Sequence, residues 1–506
     1  MRADNYEAIF YGVMSSNHPE LMQSYPNPIL AFAPSAKQYA VKRSQANLNR
    51  TCHGMHFPHV LAPWGVPQYS QPFPNFSDRE GAMSSGPFVM LPIIWGWEFG
   101  NRQNLTEVKE RWFPLVKGVA DFFACWLELD ETDGFMHDKH DCFTVPGDTA
   151  CTGQDKQDST KTLAMVRRTF DVVSEMAAAV GAPVDPAWAA TRAKIAPYPS
   201  GWMHLGGATS RMTSNATQYC SFCAPFRHDH PGSSGDCQRT DGRATQLNNC
   251  TNSTSGICPA GTKPCRNQVI GGSAAGDDDH AGLPSGGNSQ SIFPAFPADA
   301  VGTTSEWTVP MANTVKFAFP SSKDQSNAFT KIFSAAARLV GPGLLSAEEV
   351  YSGWLAALQA TQQPNGVPFG GGSGFETVGA TEFVNFMLLQ SDPAGFLGLF
   401  EAWPKSAGDA SFSRLRGRGA FIVSSSVAGG RVGATTIVSE RGGKCTLRRP
   451  QSWPKSAIAI SVTIAEETSG KAIEKKKVVL TWEGGVLHDE FFSFVTTAGG
   501  VYSLTG

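Results

Sequence analysis

The sequence predicts a mainly α protein closed by an antiparallel β-domain. Two observations carry this. Apolar residues recur every three or four positions through much of the first 390 residues, and beyond Ser391-Asp392-Pro393 the period shortens to two. A third observation is length: 506 residues with 41% hydrophobic content can bury large cores, and roughly 100–200 residues per domain suggests two or three of them. Glycine (52 residues) and proline (33 residues) are plentiful and charged residues are only 17%, so long connections between compact elements are expected.

From Leu105 to Leu129 the residues Val108, Trp112, Val116, Val119, Phe122, Phe123, Trp126 and Leu127 form a helical stripe despite Pro114. A second stripe, Leu163, Val166, Phe170, Val173, Met176, Ala177 and Val180, follows Ser159 as its expected cap and stops at Gly181. Further helices are expected at about 186–196, 305–318, 325–340, 347–362 and 375–390, each bounded by Pro, Gly or Ser. Strands are expected at 419–427, 431–438, 457–464, 477–482 and 489–495. Gly429-Gly430 reads as a tight hairpin turn, and Lys475-Lys476-Lys477 as a solvated strand edge.

The stretch from about 200 to 290 has no sustained periodicity and reads as an insertion or lid loop. It holds Cys220, Cys223, Cys237, Cys250, Cys258 and Cys265 among Gly, Ser, Thr and Asn, a composition that needs cross-links to hold shape. Disulfides are the expected state. Zinc on Cys220, Cys223, His228 and His230 is the rival reading, although no second Cys-x-x-Cys completes a ligand set, and free thiols in a disordered insert are the third. Asn-x-Ser/Thr sites at Asn49, Asn75, Asn104, Asn215, Asn249 and Asn252 point the same way, towards a secreted or secretory-pathway protein. The N-terminus lacks the regions of a secretory signal, so the expectation is an intracellular protein or one whose start is missing.

Charge excludes partners. With 41 basic and 44 acidic residues, a net charge of −3 gives no reason to propose nucleic acid or an anionic membrane surface. No run approaches the roughly 18 apolar residues of a membrane span.

Five blocks then narrow the reading. Phe375-Glu376-Thr377-Val378-Gly379-Ala380 runs into Met387-Leu388-Leu389-Gln390-Ser391. Phe400-Glu401-Ala402-Trp403-Pro404-Lys405, Leu415-Arg416-Gly417-Arg418-Gly419 and Ser439-Glu440-Arg441-Gly442-Gly443 follow. In order and spacing they resemble the end of glycoside hydrolase family 95. Gly86 to Phe123, with Trp95-Gly96-Trp97-Glu98-Phe99 and Pro114-Leu115-Val116-Lys117-Gly118, resembles a barrel hairpin of that family. The resemblance implies an (α/α)6 six-hairpin barrel over 1–393, interrupted by the insertion at about 200–290, and a C-terminal β-sandwich over 394–506. The large N-terminal β-domain of such enzymes has no counterpart here, which suggests a truncated or shortened relative.

The family implies removal of a terminal sugar, α-L-fucose or a close relative such as α-L-galactose, with inversion and without a cofactor. Its chemistry needs a protonated carboxyl at the leaving oxygen and a base on the opposite ring face, roughly 6.5–9.5 Å away. Where relatives carry a Ser-Pro-Glu acid segment, this chain has Thr144-Val145-Pro146-Gly147-Asp148. Asp148 is the candidate acid; its competing role is that of a turn residue after Pro-Gly. Asp277, Asp278 and Asp279, followed by His280, are candidates for the base, with Asp279 the one chosen; three consecutive acids in a Gly-rich stretch are more often a solvated loop or a weak cation site.

The asparagine pair of the family is replaced by Cys52-His53-Gly54-Met55-His56-Phe57-Pro58-His59 and Pro63-Trp64-Gly65. The resemblance makes His53, His56 and Glu98 candidates for sugar hydroxyls, and Trp64, Trp95 and Trp97 candidates for stacking on a pyranose face. Core packing is the ordinary alternative for each tryptophan. Histidines at 53, 56 and 59 do not fit a helical i, i+4 ligand pair, so no metal is expected. A glycan is therefore the expected partner. A carbohydrate-binding relative that has lost its carboxylates is the alternative, and a toroid with lyase or phosphorylase activity is a third class.

Overall fold

The computed structural model describes residues 3–58, 83–141, 158–202, 268–270, 290–319, 326–364, 366, 368, 374–453, 458–464, 475–480 and 491–505. Asp148, the run Asp277-Asp278-Asp279-His280, His59 and Trp64 lie outside them. So do the cysteines from 220 to 265, with His228 and His230, and the sequons at Asn75, Asn215, Asn249 and Asn252. The chain is helical in its first three-quarters and antiparallel β at its end, as expected.

The helices are α1 (Ala3–Ala8), α2 (Pro26–Leu48), α3 (Ser85–Phe99), α4 (Leu105–Glu107), α5 (Phe113–Trp126), α6 (Thr160–Ala179) and α7 (Pro186–Lys194). After them come α8 (Thr308–Ala318), α9 (Ser326–Arg338), α10 (Ala347–Thr361) and α11 (Thr381–Leu388). The stripe from Leu105 contains one turn of π-helix, Val108–Trp112, before α5. Helices α2 and α3 have no amphipathic stripe in the sequence. For α3 the reason is simple: nearly every residue from Ser85 to Phe99 is buried, so it is apolar all round, as a helix enclosed by others must be.

Helix α6 is equally central in its first half, where Thr160 to Phe170 are buried without a break. It ends as expected at Gly181, whose φ of 70° lets Ala182 N–H reach the Ala177 carbonyl at 2.9 Å. Its start differs from expectation. Ser159 makes no side-chain capping bond and is buried, because Asp158 and Ser159 pack into the interior. By contrast α7 is capped by Asp185, which accepts from Ala187 N–H at 2.8 Å, and α10 by a Ser346–Glu349 capping box.

Short strands punctuate the helical part: β1 (Glu128–Leu129) pairs with β2 (Met136–His137), and β3 (Ser200–Trp202) with β4 (Gln268–Ile270). The remaining strands are β5 (Leu389–Ser391), β6 (Leu397–Leu399), β7 (Ala410–Gly417), β8 (Phe421–Ala428), β9 (Arg431–Val432) and β10 (Thr435–Ser439). Then follow β11 (Gly443–Arg448), β12 (Ile458–Ile464), β13 (Lys475–Leu480), β14 (Phe491–Thr496) and β15 (Gly500–Thr505). One sheet runs β13-β12-β15-β10-β8-β7 with β9 on β8, and the other runs β14-β11-β6-β5. The pairs are antiparallel except β11 with β6. Gly429 and Gly430, at φ 56° and 75°, make the expected hairpin turn between Ala428 and Arg431, and the lysine strand β13 is an edge.

Two cores result. One joins the helices from Ala8 to Ala402, and the other joins both large sheets through Leu397, Val423, Ile437, Leu447, Phe494 and Leu504. Between them lies a buried ionic seam. Arg418 donates from Nε to Glu98 at 3.0 Å, from Nη2 to Asp299, and from its backbone to Ser391 Oγ. Arg338 meets Asp299 at 2.7 Å and donates to the Ser391 carbonyl at 2.7 Å. Glu98 is further held by Arg168; burial would raise its pKa, but the two guanidiniums hold it down at about 2. Beside this seam Glu382 is buried and accepts from Ser15, and burial pushes its carboxyl up to about 8 against the opposing effects of Ser15 and Arg338.

A disulfide joins Cys52 to Cys125 across 73 residues of sequence, tying the segment after α2 to the end of α5. Met55 N–H reinforces it by reaching the Gly118 carbonyl at 2.7 Å, and Gly54 (φ 117°) packs where any Cβ would strike that carbonyl. A cross-link over a loop of this size removes about 4 kcal/mol of denatured-state entropy. Replacing both cysteines by alanine is therefore expected to lower stability by that order in denaturant titrations; an unchanged midpoint would show that the link constrains nothing.

Candidate functional site

Four buried titratable groups with raised pKa values, His137, Asp138, Asp141 and Asp158, meet where the β1–β2 hairpin joins the start of α6. The hairpin is set locally. Asp130 Oδ1 accepts from Thr132 N–H at 2.9 Å, Asp133 Oδ1 accepts from Phe135 N–H at 2.9 Å, and Gly134 (φ 79°) closes the turn. Ala196 N–H then binds the Met136 carbonyl at 2.9 Å, which locks β2 against the chain after α7. His137 and Asp138 are thereby fixed inside the helical core.

His137 is fully buried between two carboxylates. Its Nδ1 lies 2.5 Å from Asp158 Oδ2 and its Nε2 lies 3.0 Å from Asp133 Oδ2. Burial alone would lower its pKa, but the hydrogen bond and charge of Asp158, joined by Asp133, outweigh burial and raise it. Asp158 in turn exchanges two backbone contacts with Asp138: Asp158 N–H to the Asp138 carbonyl at 2.8 Å, and Asp138 N–H to Asp158 Oδ1 at 2.9 Å. Asp158 takes φ 55°, a left-handed conformation that turns its carboxylate back over the hairpin.

Asp138 is the group of most chemical interest. Its Oδ1 accepts from Trp126 Nε1 at 2.9 Å, whereas its Oδ2 is buried with no hydrogen-bond partner among the described residues. Burial first, and the charge of Asp141 second, push its pKa well above the ordinary carboxylate range. Asp141 accepts from Met83 N–H at 3.0 Å and from the Thr162 hydroxyl of α6. Burial raises its pKa too, against Thr162, Met83, Lys161 and Arg43. Both carboxyls are pushed towards the protonated form by burial, and Asp138 adds its repulsion with Asp141; a carboxyl so shifted, with one oxygen that has no partner among the described residues, is suited to donate a proton.

The surrounding residues set Trp126 and hence Asp138. Cys125 anchors Trp126 through the disulfide, Phe122 stacks on the indole at 5.4 Å, and Arg43 lies 5.9 Å from its centroid while donating to the His140 carbonyl at 3.2 Å. His56 is buried against Phe122, ring centroids 5.4 Å apart. Of the residues singled out from sequence, His56 is thus brought into the neighbourhood of the aspartates through Phe122 and Trp126, and His53 is exposed.

The other three occupy the helical core and the seam. Trp95 stacks on Phe296 at 6.2 Å and lines, with Tyr11 and Glu382, a cavity of about 10 Å3. Trp97 is buried, donates from Nε1 to Glu175 at 3.0 Å and carries Arg102 3.6 Å from its ring centroid. Glu98 is committed to Arg168 and Arg418. Sequence reasoning passed over His137, Asp138, Asp141 and Asp158. The available signal was Met136-His137-Asp138-Lys139-His140-Asp141, five titratable residues in succession within a chain only 17% charged.

No protein-family model and no curated protein matches the chain. Among solved structures it aligns with one titled "Putative kojibiose phosphorylase from human microbiome", at 10% identity and a TM-score of 0.43, over 96% of this chain. The chain spans about three-fifths of that protein's length, 61%. A likeness at this level decides neither fold nor chemistry, and none of these comparisons singles out glycoside hydrolase family 95.

The raised pKa of His137 has a signed consequence. A histidine stabilised as imidazolium adds stability that is complete below its unfolded value of about 6.5 and is lost as pH rises through the elevated folded value. The difference in unfolding free energy between the wild type and His137→Gln is expected to be largest below pH 6.5 and to shrink above it. A difference that grows with pH would mean that His137 is neutral in the folded protein.

Proposed function

We propose that the chain is a glycoside hydrolase that removes a terminal sugar, α-L-fucose or a close relative, by inverting acid–base hydrolysis. The observation that carries the reading is Asp138: a carboxyl buried against Asp141, its pKa raised by that burial, with Oδ2 lacking a hydrogen-bond partner among the described residues, in the connection after the α3–α5 pair. That connection is where the resembled family keeps its acid. The five sequence blocks from Phe375 to Gly443 support the sugar-directed part of the reading, together with its architecture of a six-hairpin barrel over 1–393 and a β-sandwich over 394–506. The Cys52–Cys125 disulfide and the exposed sequons at Asn49 and Asn104 support maturation as a glycoprotein in an oxidising compartment.

In this mechanism Asp138 Oδ2 gives its proton to the glycosidic oxygen as the bond to the anomeric carbon breaks. Water attacks that carbon from the opposite face, and a second carboxylate takes the water's proton, which leaves the inverted sugar. Asp279 is our candidate for that base. His137, clamped by Asp158 and Asp133, acts as a positioning residue, because Asp158 holds the Asp138 backbone as well as the imidazole. The second reading, a glycan-binding relative without turnover, is favoured by the loss of Ser-Pro-Glu at Thr144 to Asp148.

Asp138→Asn keeps the acceptor for Trp126 but cannot give up a proton. Turnover of an alkyl glycoside is expected to fall by at least about tenfold, with glycan binding retained. Asp148→Asn should leave most of the rate. The reverse ranking would assign the acid to Asp148 and make Asp138 structural.

A further inference from the structure

A polar cavity of about 260 Å3 opens at the seam, between the second half of α6 and the turn from β5 to β6. Its wall carries Arg168 and Asp171 from α6, Thr304 and Ser305 from the segment before α8, and Asp392 from the turn. Arg168 is six residues beyond Thr162, about 9 Å further along the helix axis, so this cavity is separate from the buried aspartates. Three facts define its chemistry.

First, the guanidinium of Arg168 is 8% exposed and rigidly held: Nε donates to the Ala298 carbonyl at 3.1 Å and Nη2 to Glu98, while Nη1 faces Asp171 at 3.6 Å. That distance is beyond a direct hydrogen bond and leaves Nη1 its donors. Second, Asp171 is oriented from the other side by Arg192 at 2.7 Å, and Asp392 by Thr303 N–H and Ala394 N–H at 3.1 and 2.9 Å. Third, Gly302 leaves bare backbone on the wall, where a Cβ would overlap the Asp392 carboxylate.

We infer that this cavity is a second saccharide-binding site, for one neutral sugar ring. A vicinal diol both donates and accepts, and the wall offers guanidinium donors, carboxylate acceptors and hydroxyls that do either. Asp171 and Asp392 are set against Arg168 and, behind Asp171, Arg192, so the wall carries no excess charge to draw an ion of either sign. No aromatic ring lines the cavity among the described residues, so an apolar or stacked ligand has nothing to gain there. The volume is below the roughly 300–1,000 Å3 of sites for drug-sized ligands, which suits a single ring. The choice of a sugar among polyols rests on the glycoside reading above. A site at the seam would hold a neighbouring unit of the glycan while its terminus is processed elsewhere.

The test is calorimetric titration of the full chain with methyl α-L-fucoside, methyl β-D-galactoside and, as an anion control, sodium phosphate. Thr304→Trp, at the exposed rim, fills the cavity, and Asp171→Asn removes a charged acceptor; thermal unfolding checks both folds. The wild type is expected to bind two glycosides per chain and Thr304→Trp one. Asp171→Asn should weaken the second site by at least about threefold, and hydrolysis of a small aryl glycoside should stay within about twofold. Unchanged stoichiometry in both variants, preferential binding of phosphate, or loss of hydrolysis in Thr304→Trp would each overturn the proposal. Loss of one bound glycoside in Thr304→Trp, with a wild type that hydrolyses nothing, would sink the catalytic reading and leave the seam site standing.

Discussion

The interaction on which the rest depends is the buried ionic seam around Arg418. Glu98 from α3, Asp299 from the segment before α8, and Ser391 from β5 all converge on this one arginine. Charges taken out of water are tolerable only when their partners and hydrogen bonds are complete, so each element must arrive in register for the others to be satisfied. Arg416, two residues earlier, adds a second peg: it binds Glu440 at 2.8 Å, the Phe99 carbonyl at 3.1 Å and Asn17 at 2.9 Å. A sheet docked through such pegs cannot slide on the helices without stranding buried charge. The fixed position of α6 follows, since Arg168 belongs to the same seam and Thr162, earlier on the same helix, holds Asp141.

One helix therefore serves three purposes at successive levels. Its first turn meets the aspartates, its middle anchors the seam, and its second half walls the polar cavity. The unbroken burial of Thr160 to Phe170 is the packing expression of this, and it explains why Lys161, Arg167 and Arg168 are interior residues. The aspartate cluster depends on the opposite face of the fold as well. Cys125 and Phe122 fix Trp126, Trp126 fixes Asp138 Oδ1, and burial raises the pKa of that carboxyl.

The sequence was legible where local rules decide structure. The stripe of α6, its stop at Gly181, the Gly429-Gly430 turn and the edge strand of lysines follow from periodicity and φ preference. Helices α2 and α3 were not legible, because α3 is apolar on every side and α2, with Pro34 inside it, shows no stripe. The family-like blocks were informative in an unexpected way. Arg416 and Arg418 turn out to be seam residues, Glu440 holds Arg416, and Glu401 holds Arg448, which reaches Thr303 at 2.7 Å, so much of the recognisable pattern lies where sheet meets helix. Glu98, in the hairpin-like stretch Trp95 to Phe99, is held by two guanidiniums of the same seam. Asp138 and Asp141 escaped notice because burial, which gives them their chemistry, is a tertiary property that no local spacing encodes.

The most direct test of the account is release of reducing sugar by the purified chain from terminal fucosyl, galactosyl and arabinosyl glycosides between pH 4 and 8, with binding followed in parallel. A working acid–base pair predicts release with a bell-shaped pH profile whose alkaline limb lies above the ordinary carboxylate range, where Asp138 loses its proton. Glycan binding without release at any pH would contradict it.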